Sequence, residues 1–140
     1  MGDTYRALLI KDGVISPVDL RKAGYGAQHT RELIGDTFCS AFVVWQDHDR
    51  KLVGYCDDNG LLKNLPVNVL LSGDLYQEPG YPIVGPIVVT AHEGPDTTDM
   101  TDNERSGFYT VDMATVVTGK AERRETTPVL HYRGPRARSR

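Results

Sequence analysis

The segment "DDNGLLKNLPVN", residues 57–68, holds polar side chains whose types and spacing could bind a ligand. The amide of Asn68 presents both a donor and an acceptor, so it could read a nucleobase edge or a peptide. The same groups can also bond to backbone left open by a turn, and a carboxylate ahead of Asn-Gly typically braces that turn. We therefore predict that Asn68 braces the main chain, and we keep Asp57, Asp58 and Asn68 as the candidate ligand-binding residues.

The segment "DHD", residues 47–49, and the remaining histidines are the other candidates for metal or pocket chemistry. Asp47 and Asp49 could converge on a metal because alternate residues of a strand share a face. The segment falls at a predicted hairpin tip, however, so a solvated turn is favoured, and no Cys-x-x-Cys is present. We predict no metal site. His92 and Glu93 follow a strand and could contribute to a pocket, although the sequence gives neither a fixed partner.

Signatures of catalysis are missing from the chain. Neither Gly-x-Ser-x-Gly nor the phosphate-binding patterns Gly-x-Gly-x-x-Gly and Gly-Lys-Ser/Thr occur. Cys39 falls within an apolar strand, where a thiol tends to be inert. The sequence therefore predicts a protein that is not an enzyme and needs no cofactor.

The charge distribution is uneven along the chain. Residues 120–140 carry seven basic and two acidic residues, whereas residues 1–119 carry nine and 17. An acidic body repels phosphates, so only the tail is a candidate nucleic-acid site. Arginine with an interleaved aromatic suits stacking and phosphate contact with RNA. A solubilising extension is the stronger interpretation, and folding back onto the acidic body is another. The candidate nucleic-acid-binding residues are Arg123, Arg124, Tyr132, Arg133, Arg136, Arg138 and Arg140.

The sequence of the N-terminal part of the chain predicts a β-hairpin. Residues 5–10 are a short apolar segment, residues 14–20 follow as a second strand, and Asp12-Gly13 between them can adopt the positive φ angles of a tight turn. Pro17 cannot donate to a ladder, which predicts an edge position for the second strand.

A short helix over residues 27–35, ended by its glycine, precedes a second predicted hairpin. Its strands are 36–46 and 52–58, and a four-residue loop would pair Gln46 with Lys51. The same register places Cys56 opposite Ala41 and diagonal to Cys39. Diagonal neighbours are too far apart for a disulfide, so we predict thiols.

The C-terminal half predicts a second helix that begins at Pro66 and ends at Gly73, followed by a strand over residues 83–91. Gly85-Pro86 predicts a bend inside that strand. An exposed connection then leads to Thr101-x-x-Glu104, which has the spacing of a capping box. We predict a helix from there to residue 118, with a strand as the alternative because the segment is rich in β-branched residues.

These elements predict a small α+β fold with a mainly antiparallel sheet and two or three short helices. We expect one domain over residues 1–119 and a flexible basic tail over residues 120–140. No apolar run reaches the length of a membrane helix and no signal peptide is evident, so we expect a cytoplasmic protein without a membrane partner.

The segment from "ELIG" through "IVVTA" resembles a domain-of-unknown-function family found in phages, plasmids and actinobacteria. The resemblance is carried by the helix that ends at a glycine, by "DDNGLL", by "LPVN" and by the strand containing "IVGPIVV". It covers residues 27–91 and implies a mobile-element or accessory setting, with no assigned chemistry.

We therefore predict a non-enzymatic binding or regulatory protein of a phage, plasmid or actinobacterial host. Its partner would be an unknown protein or a small ligand. One alternative is a nucleic-acid-associated protein that acts through its tail. Another is an anti-defence protein that sequesters a nucleotide signal or blocks a host protein.

Overall fold

The computed structural model describes residues 4–21, 28–35, 39–57, 67–75, 80–118 and 123–135. Within these residues the chain forms ten strands and two short helices. In chain order they are β1 (Thr4–Lys11), β2 (Val14–Arg21), α1 (Gln28–Ile34), β3 (Cys39–Asp47), β4 (Arg50–Asp57), β5 (Val67–Leu71), β6 (Tyr81–Val84), β7 (Ile87–Glu93), β8 (Asp96–Thr98), α2 (Asp102–Arg105), β9 (Phe108–Thr118) and β10 (Arg123–Tyr132).

The strands form two sheets. The first is antiparallel throughout and has the order β2-β1-β7-β4-β3, with β8 pairing to β7 beyond the end of β1. The second has the order β6-β5-β10-β9, in which β5 and β10 are parallel and the other pairs are antiparallel. The fold is therefore mainly β, and the predicted α+β class is wrong.

The two sheets pack against each other through one apolar core. Alternate residues of the first sheet, such as Leu8, Leu52 and Val89, meet Leu71 and Leu130 of the second. The opposite face of the first sheet packs against α1 through a second cluster of buried side chains, which are Ala7, Leu20, Ile34 and Val88. The described residues thus form three layers, with α1 on the first sheet and the first sheet on the second.

The β1–β2 hairpin confirms the prediction from its turn sequence. Asp12 and Gly13 have φ angles of 53° and 76°, which are the left-handed values that a tight hairpin turn requires. The strand containing Pro17 lies at an edge of the first sheet. Helix α1 also ends as predicted, because Gly35 has a φ of 90° and its N–H donates to the carbonyl of Arg31.

The β3–β4 hairpin has the predicted pairing of Gln46 with Lys51, but its turn is shorter and its register changes further along. An extra residue on β3, Val44, makes a bulge between Val43 and Trp45. Beyond the bulge Cys56 lies opposite Ser40. The sequence had predicted Ala41 as its partner. The prediction failed because a bulge shifts every later pair by one residue.

Three segments expected to be helical or flexible are strands. Residues 67–71 form β5 and not a helix, because β10 and β6 pair with them on either side. The predicted helix to residue 118 ends at Arg105, and β9 follows, so the strand alternative was right. Residues 123–132 form β10 where a flexible tail was predicted, since β5 and β9 supply hydrogen-bonding partners on both sides.

The Gly85-Pro86 bend separates two sheets. Gly85 has a φ of 86°, and the chain passes there from β6 in the second sheet to β7 in the first. The segment predicted as an exposed connection, residues 92–104, instead continues β7, turns, and forms β8 and α2. The capping box is confirmed: the Thr101 hydroxyl accepts from the Glu104 N–H, and the Glu104 carboxylate accepts from the Thr101 N–H.

Candidate functional site

Asn68 lies where the two sheets meet, and its amide is fully engaged with main-chain groups. It is an extra residue on β5, between the positions paired with Val84 and Ile83, and such a bulge redirects a side chain. Its oxygen accepts from the Gly13 N–H at 2.8 Å. Its nitrogen donates to the carbonyls of Ile10 at 2.7 Å and Gly85 at 3.0 Å. Asn68 is 4% exposed, so the amide joins the β1–β2 turn, β5 and the β6–β7 bend.

A buried ion pair fixes the opposite end of the first sheet. The Arg50 guanidinium donates from Nε and Nη2 to the two carboxylate oxygens of Glu104, at 2.8 and 2.7 Å. It also donates to the Thr98 hydroxyl and the Asp99 carbonyl, each at 2.8 Å. Burial would raise the pKa of Glu104, but the hydrogen bonds and charge of Arg50, with the Thr101 N–H, lower it on balance. This pair therefore holds α2 and β8 against the β3–β4 hairpin.

A groove on the outer face of the first sheet is the candidate ligand site. It has a volume of about 370 Å³ and lies on β3, β4 and the end of β7. Its lining residues are Ala41, Phe42, Val43, Lys51, Val53, Tyr55, His92, Gly94 and Pro95. The volume falls within the usual range for small-molecule sites, which starts at roughly 300 Å³.

The groove has an apolar floor and a polar end. Cross-strand pairing places Val43 beside Val53, and Tyr55 beside Ala41 at the α1 side. At the other end Lys51 pairs with His92 across β4 and β7. Lys51 forms no ion pair with any carboxylate in the described part of the chain. An unpaired ammonium beside an apolar floor suits a ligand with an apolar body and an anionic group.

His92 is held neutral at the polar end of the groove. Burial lowers its pKa, and the positive charges of Lys51 and Arg50 lower it further. Its Nε2 lies 2.7 Å from the Thr90 hydroxyl and its Nδ1 lies 3.4 Å from that of Thr97. Each hydroxyl can donate or accept, so both ring nitrogens keep a partner in either tautomer.

The residues predicted from the sequence do not converge on one site. Asp57 is buried at the end of β4, whereas Asp58 lies outside the described residues. Of the basic candidates, Arg123 and Arg124 begin β10, Arg133 follows it, and Arg136, Arg138 and Arg140 are outside the described part. The ring of Tyr132 packs in the core against Phe108, at 4.3 Å between centroids.

The groove contains residues that sequence reasoning largely missed. Only His92 was a candidate from the sequence, because it lies at a strand end. Lys51 and Val43 were not candidates, because their proximity depends on strand pairing. In the Asp47-His48-Asp49 segment, His48 has a φ of 54° in the turn and its ring is exposed. Within the described residues no three acidic, histidine or cysteine side chains are grouped to hold a metal ion. None of the helices described there is long and apolar enough to cross a membrane.

The fold and the groove together define a class: a two-sheet β protein with an open groove on the outer face of one sheet. The chain belongs to the DUF3846 family, a domain of unknown function, whose model matches residues 5–113. The match covers both hairpins, α1 and the groove, and ends within β9. Comparison with curated proteins and with solved structures found no significant match.

Proposed function

We propose that this protein is a non-enzymatic binding protein whose groove takes a small ligand with an apolar body and an anionic group. The observation that supports this most is the unpaired Lys51 ammonium beside the floor made by Val43 and Val53. The neutral ring of His92 lines the same end of the groove, with its two nitrogens held by the hydroxyls of Thr90 and Thr97. The proposal includes no catalytic residue, and hydrolysis or group transfer abolished by one point change in the groove would contradict it.

The biological setting of the protein is part of the same proposal. The resemblance of residues 27–91 supports a phage, plasmid or actinobacterial host, in which a small binding protein would act as a regulatory or accessory factor. Sequestration of a nucleotide signal is one such role, because a nucleotide has both an aromatic body and an anionic group. Mass spectrometry of the denatured protein tests it: a co-purified nucleotide supports a tight sponge, and its absence contradicts one.

The anionic fluorophore 8-anilinonaphthalene-1-sulfonate is a suitable probe of the groove. We expect Lys51→Met to weaken its affinity about fivefold, because a half-exposed ion contact is worth on the order of 1 kcal/mol. We expect Val43→Asp to weaken it further, since a carboxylate would then lie at the edge of the apolar floor. Val43 is 52% exposed, so this change leaves the core intact. Fluorescence titration of the folded variants gives the affinities.

Matched controls lie on β1 and β2. Lys11→Met removes one exposed ammonium, and Val14→Asp adds one carboxylate at an exposed valine, both away from the groove. Equal losses for the groove and control variants would show that the probe responds to net charge alone, and this would contradict the proposal.

The lowered pKa of His92 predicts a pH dependence of stability. The unfolded chain protonates this ring near pH 6.5, but the folded chain does so only at lower pH. Its contribution to stability is therefore complete above about pH 6.5 and is lost as the pH falls toward the folded pKa. We expect His92→Gln to reduce the fall in unfolding free energy between pH 8 and pH 5, as measured by urea denaturation.

Binding provides an independent check on the same residue. Protonation of His92 puts a second cation beside Lys51, so the affinity of the fluorophore should rise as the pH falls, and His92→Gln should remove that rise. Identical pH profiles for the wild type and His92→Gln would show that the ring does not face the bound anion.

A further inference from the structure

A column of planar side chains stands on the outer face of the second sheet, on the opposite side of the molecule from the groove. Tyr109 on β9 and His131 on β10 are directly paired, and their rings are stacked at 5.0 Å with an interplanar angle of 11°. The guanidinium of Arg133 lies 4.2 Å from the centre of the Tyr109 ring. Their neighbours Phe108 and Tyr132 point the other way, into the core.

The column is held by contacts to the main chain and to one carboxylate. The Arg133 N–H donates to the Gly107 carbonyl at 3.1 Å, which fixes the backbone where β10 ends. One oxygen of Asp74 accepts from the Tyr132 N–H at 3.0 Å, and the other lies 3.5 Å from the His131 ring. Asp74 thus orients the histidine end of the column.

Arg133 is the exposed end of this column. It makes no ion pair with a carboxylate in the part of the chain that the structure describes. A guanidinium has two planar faces, and nucleobases stack on such planes as they do on aromatic rings.

We propose that this column binds single-stranded nucleic acid, with a base stacked on the face of the Arg133 guanidinium that does not cover Tyr109 and with the charge of Arg133 beside a neighbouring phosphate. Stacking is independent of base identity and phosphate contact is independent of sequence, so the site would have little sequence preference. A duplex keeps its bases stacked inside and offers none to the column, so the site prefers single strands. The acidic body limits the contact to this end of the molecule.

The test uses the full chain and a fluorescein-labelled 12-nucleotide oligouridine, followed by fluorescence anisotropy at several salt concentrations. We expect Arg133→Ala to weaken binding about fivefold or more, the loss typical of one stacked base, and Tyr109→Leu to weaken it as well because the ring positions the guanidinium. Arg133→Lys should lose part of the affinity, because lysine keeps the charge without the planar face. Arg133→Ala should also lower the salt slope by about 0.7, the value for one phosphate contact on a single strand.

Two controls separate this site from the groove and from general charge effects. Lys51→Met should leave oligouridine binding unchanged while it weakens the anionic fluorophore, so failure of one site does not decide the other. Lys11→Met removes a remote cation and should also have little effect. Absence of oligouridine binding at 50 mM salt would overturn the proposal. Tighter binding of a matched duplex would do so too, as would wild-type affinity in folded Arg133→Ala and Tyr109→Leu.

Discussion

Replacing Arg50 by methionine is expected to lower the free energy of unfolding by about 3 kcal/mol or more, because the Glu104 carboxylate would stay buried without its cation. Glu104 is 4% exposed, and both of its oxygens accept from Arg50. The same guanidinium bonds to the Thr98 hydroxyl and the Asp99 carbonyl, so those groups lose their donors as well. Urea denaturation at pH 7 measures the loss.

The matched control is Arg105, whose ion pair lies within α2. Arg105 contacts Asp102 at 2.9 Å, but the Asp102 side chain is 72% exposed. Water screens that pair, so Arg105→Met should cost less than about 1 kcal/mol. Similar losses for the two single variants would show that the Arg50 pair contributes no more than an exposed one.

A double variant distinguishes a stranded charge from lost packing. Glutamine at position 104 retains the capping-box geometry, so Arg50→Met combined with Glu104→Gln removes both charges and keeps the cap. We expect the double variant to be more stable than Arg50→Met alone, because no charge then remains buried. A loss equal to the sum of the two single changes would contradict this account.

The pH dependence of stability in the same variants shows whether the interaction between Arg50 and Glu104 is stabilising. The pKa of Glu104 is lowered in the folded protein, so its contribution to stability is complete above the unfolded value near 4.5 and is lost as the pH falls through the folded value. In Arg50→Met, burial acts without the cation and raises that pKa. The difference in stability between the wild type and Arg50→Met should therefore shrink as the medium becomes acidic.

Replacing Asn68 by aspartate is expected to be as damaging, at about 3 kcal/mol or more at pH 7, although the two side chains have nearly the same shape. The Asn68 nitrogen donates to the carbonyls of Ile10 and Gly85. Aspartate would place an oxygen there, so two carbonyls would face a buried carboxylate. The loss is measured by urea denaturation and should diminish at low pH, where the carboxyl group gains a proton and regains one donor.

The control for this change is Asn103→Asp. Asn103 is exposed on α2, where an additional carboxylate in the first helical turn is tolerated and can stabilise the helix. We expect no loss of stability there. If Asn68→Asp were equally neutral, the amide would not join the two sheets, and a ligand role for Asn68 would have to be reconsidered.

The features that the sequence predicted correctly depend on a few neighbouring residues. Asp12-Gly13 specifies its turn because few other dipeptides adopt positive φ at both positions. Gly35 ends α1 because glycine also adopts positive φ at that position. The capping box of Thr101 and Glu104 forms within one helical turn. Gly85-Pro86 interrupts the strand because Gly85 has a positive φ and Pro86 has no N–H to donate to a ladder.

The features that the sequence did not predict depend on partners far along the chain. Residues 67–71 become a strand because β10, about 60 residues later, and β6 pair with them on either side. The polar composition of residues 123–132, with two arginines, obscured the strand β10. Its alternate residues Leu130 and Tyr132 are buried, but this alternation becomes evident only when β9 pairs with it. Intrinsic propensity is weaker than these distant pairings.

The candidate functional features divide in the same way between those set by the sequence and those set by the tertiary structure. From its own residues the chain determined a basic C-terminal segment, an acidic body, its turns and caps, and the absence of familiar catalytic signatures. Only the tertiary structure brought Lys51 to His92, Arg50 to Glu104 and Arg133 to Tyr109. Pairing between strands sets which side chains share a face, and one bulged residue, as at Asn68, is enough to redirect a side chain from one partner to another.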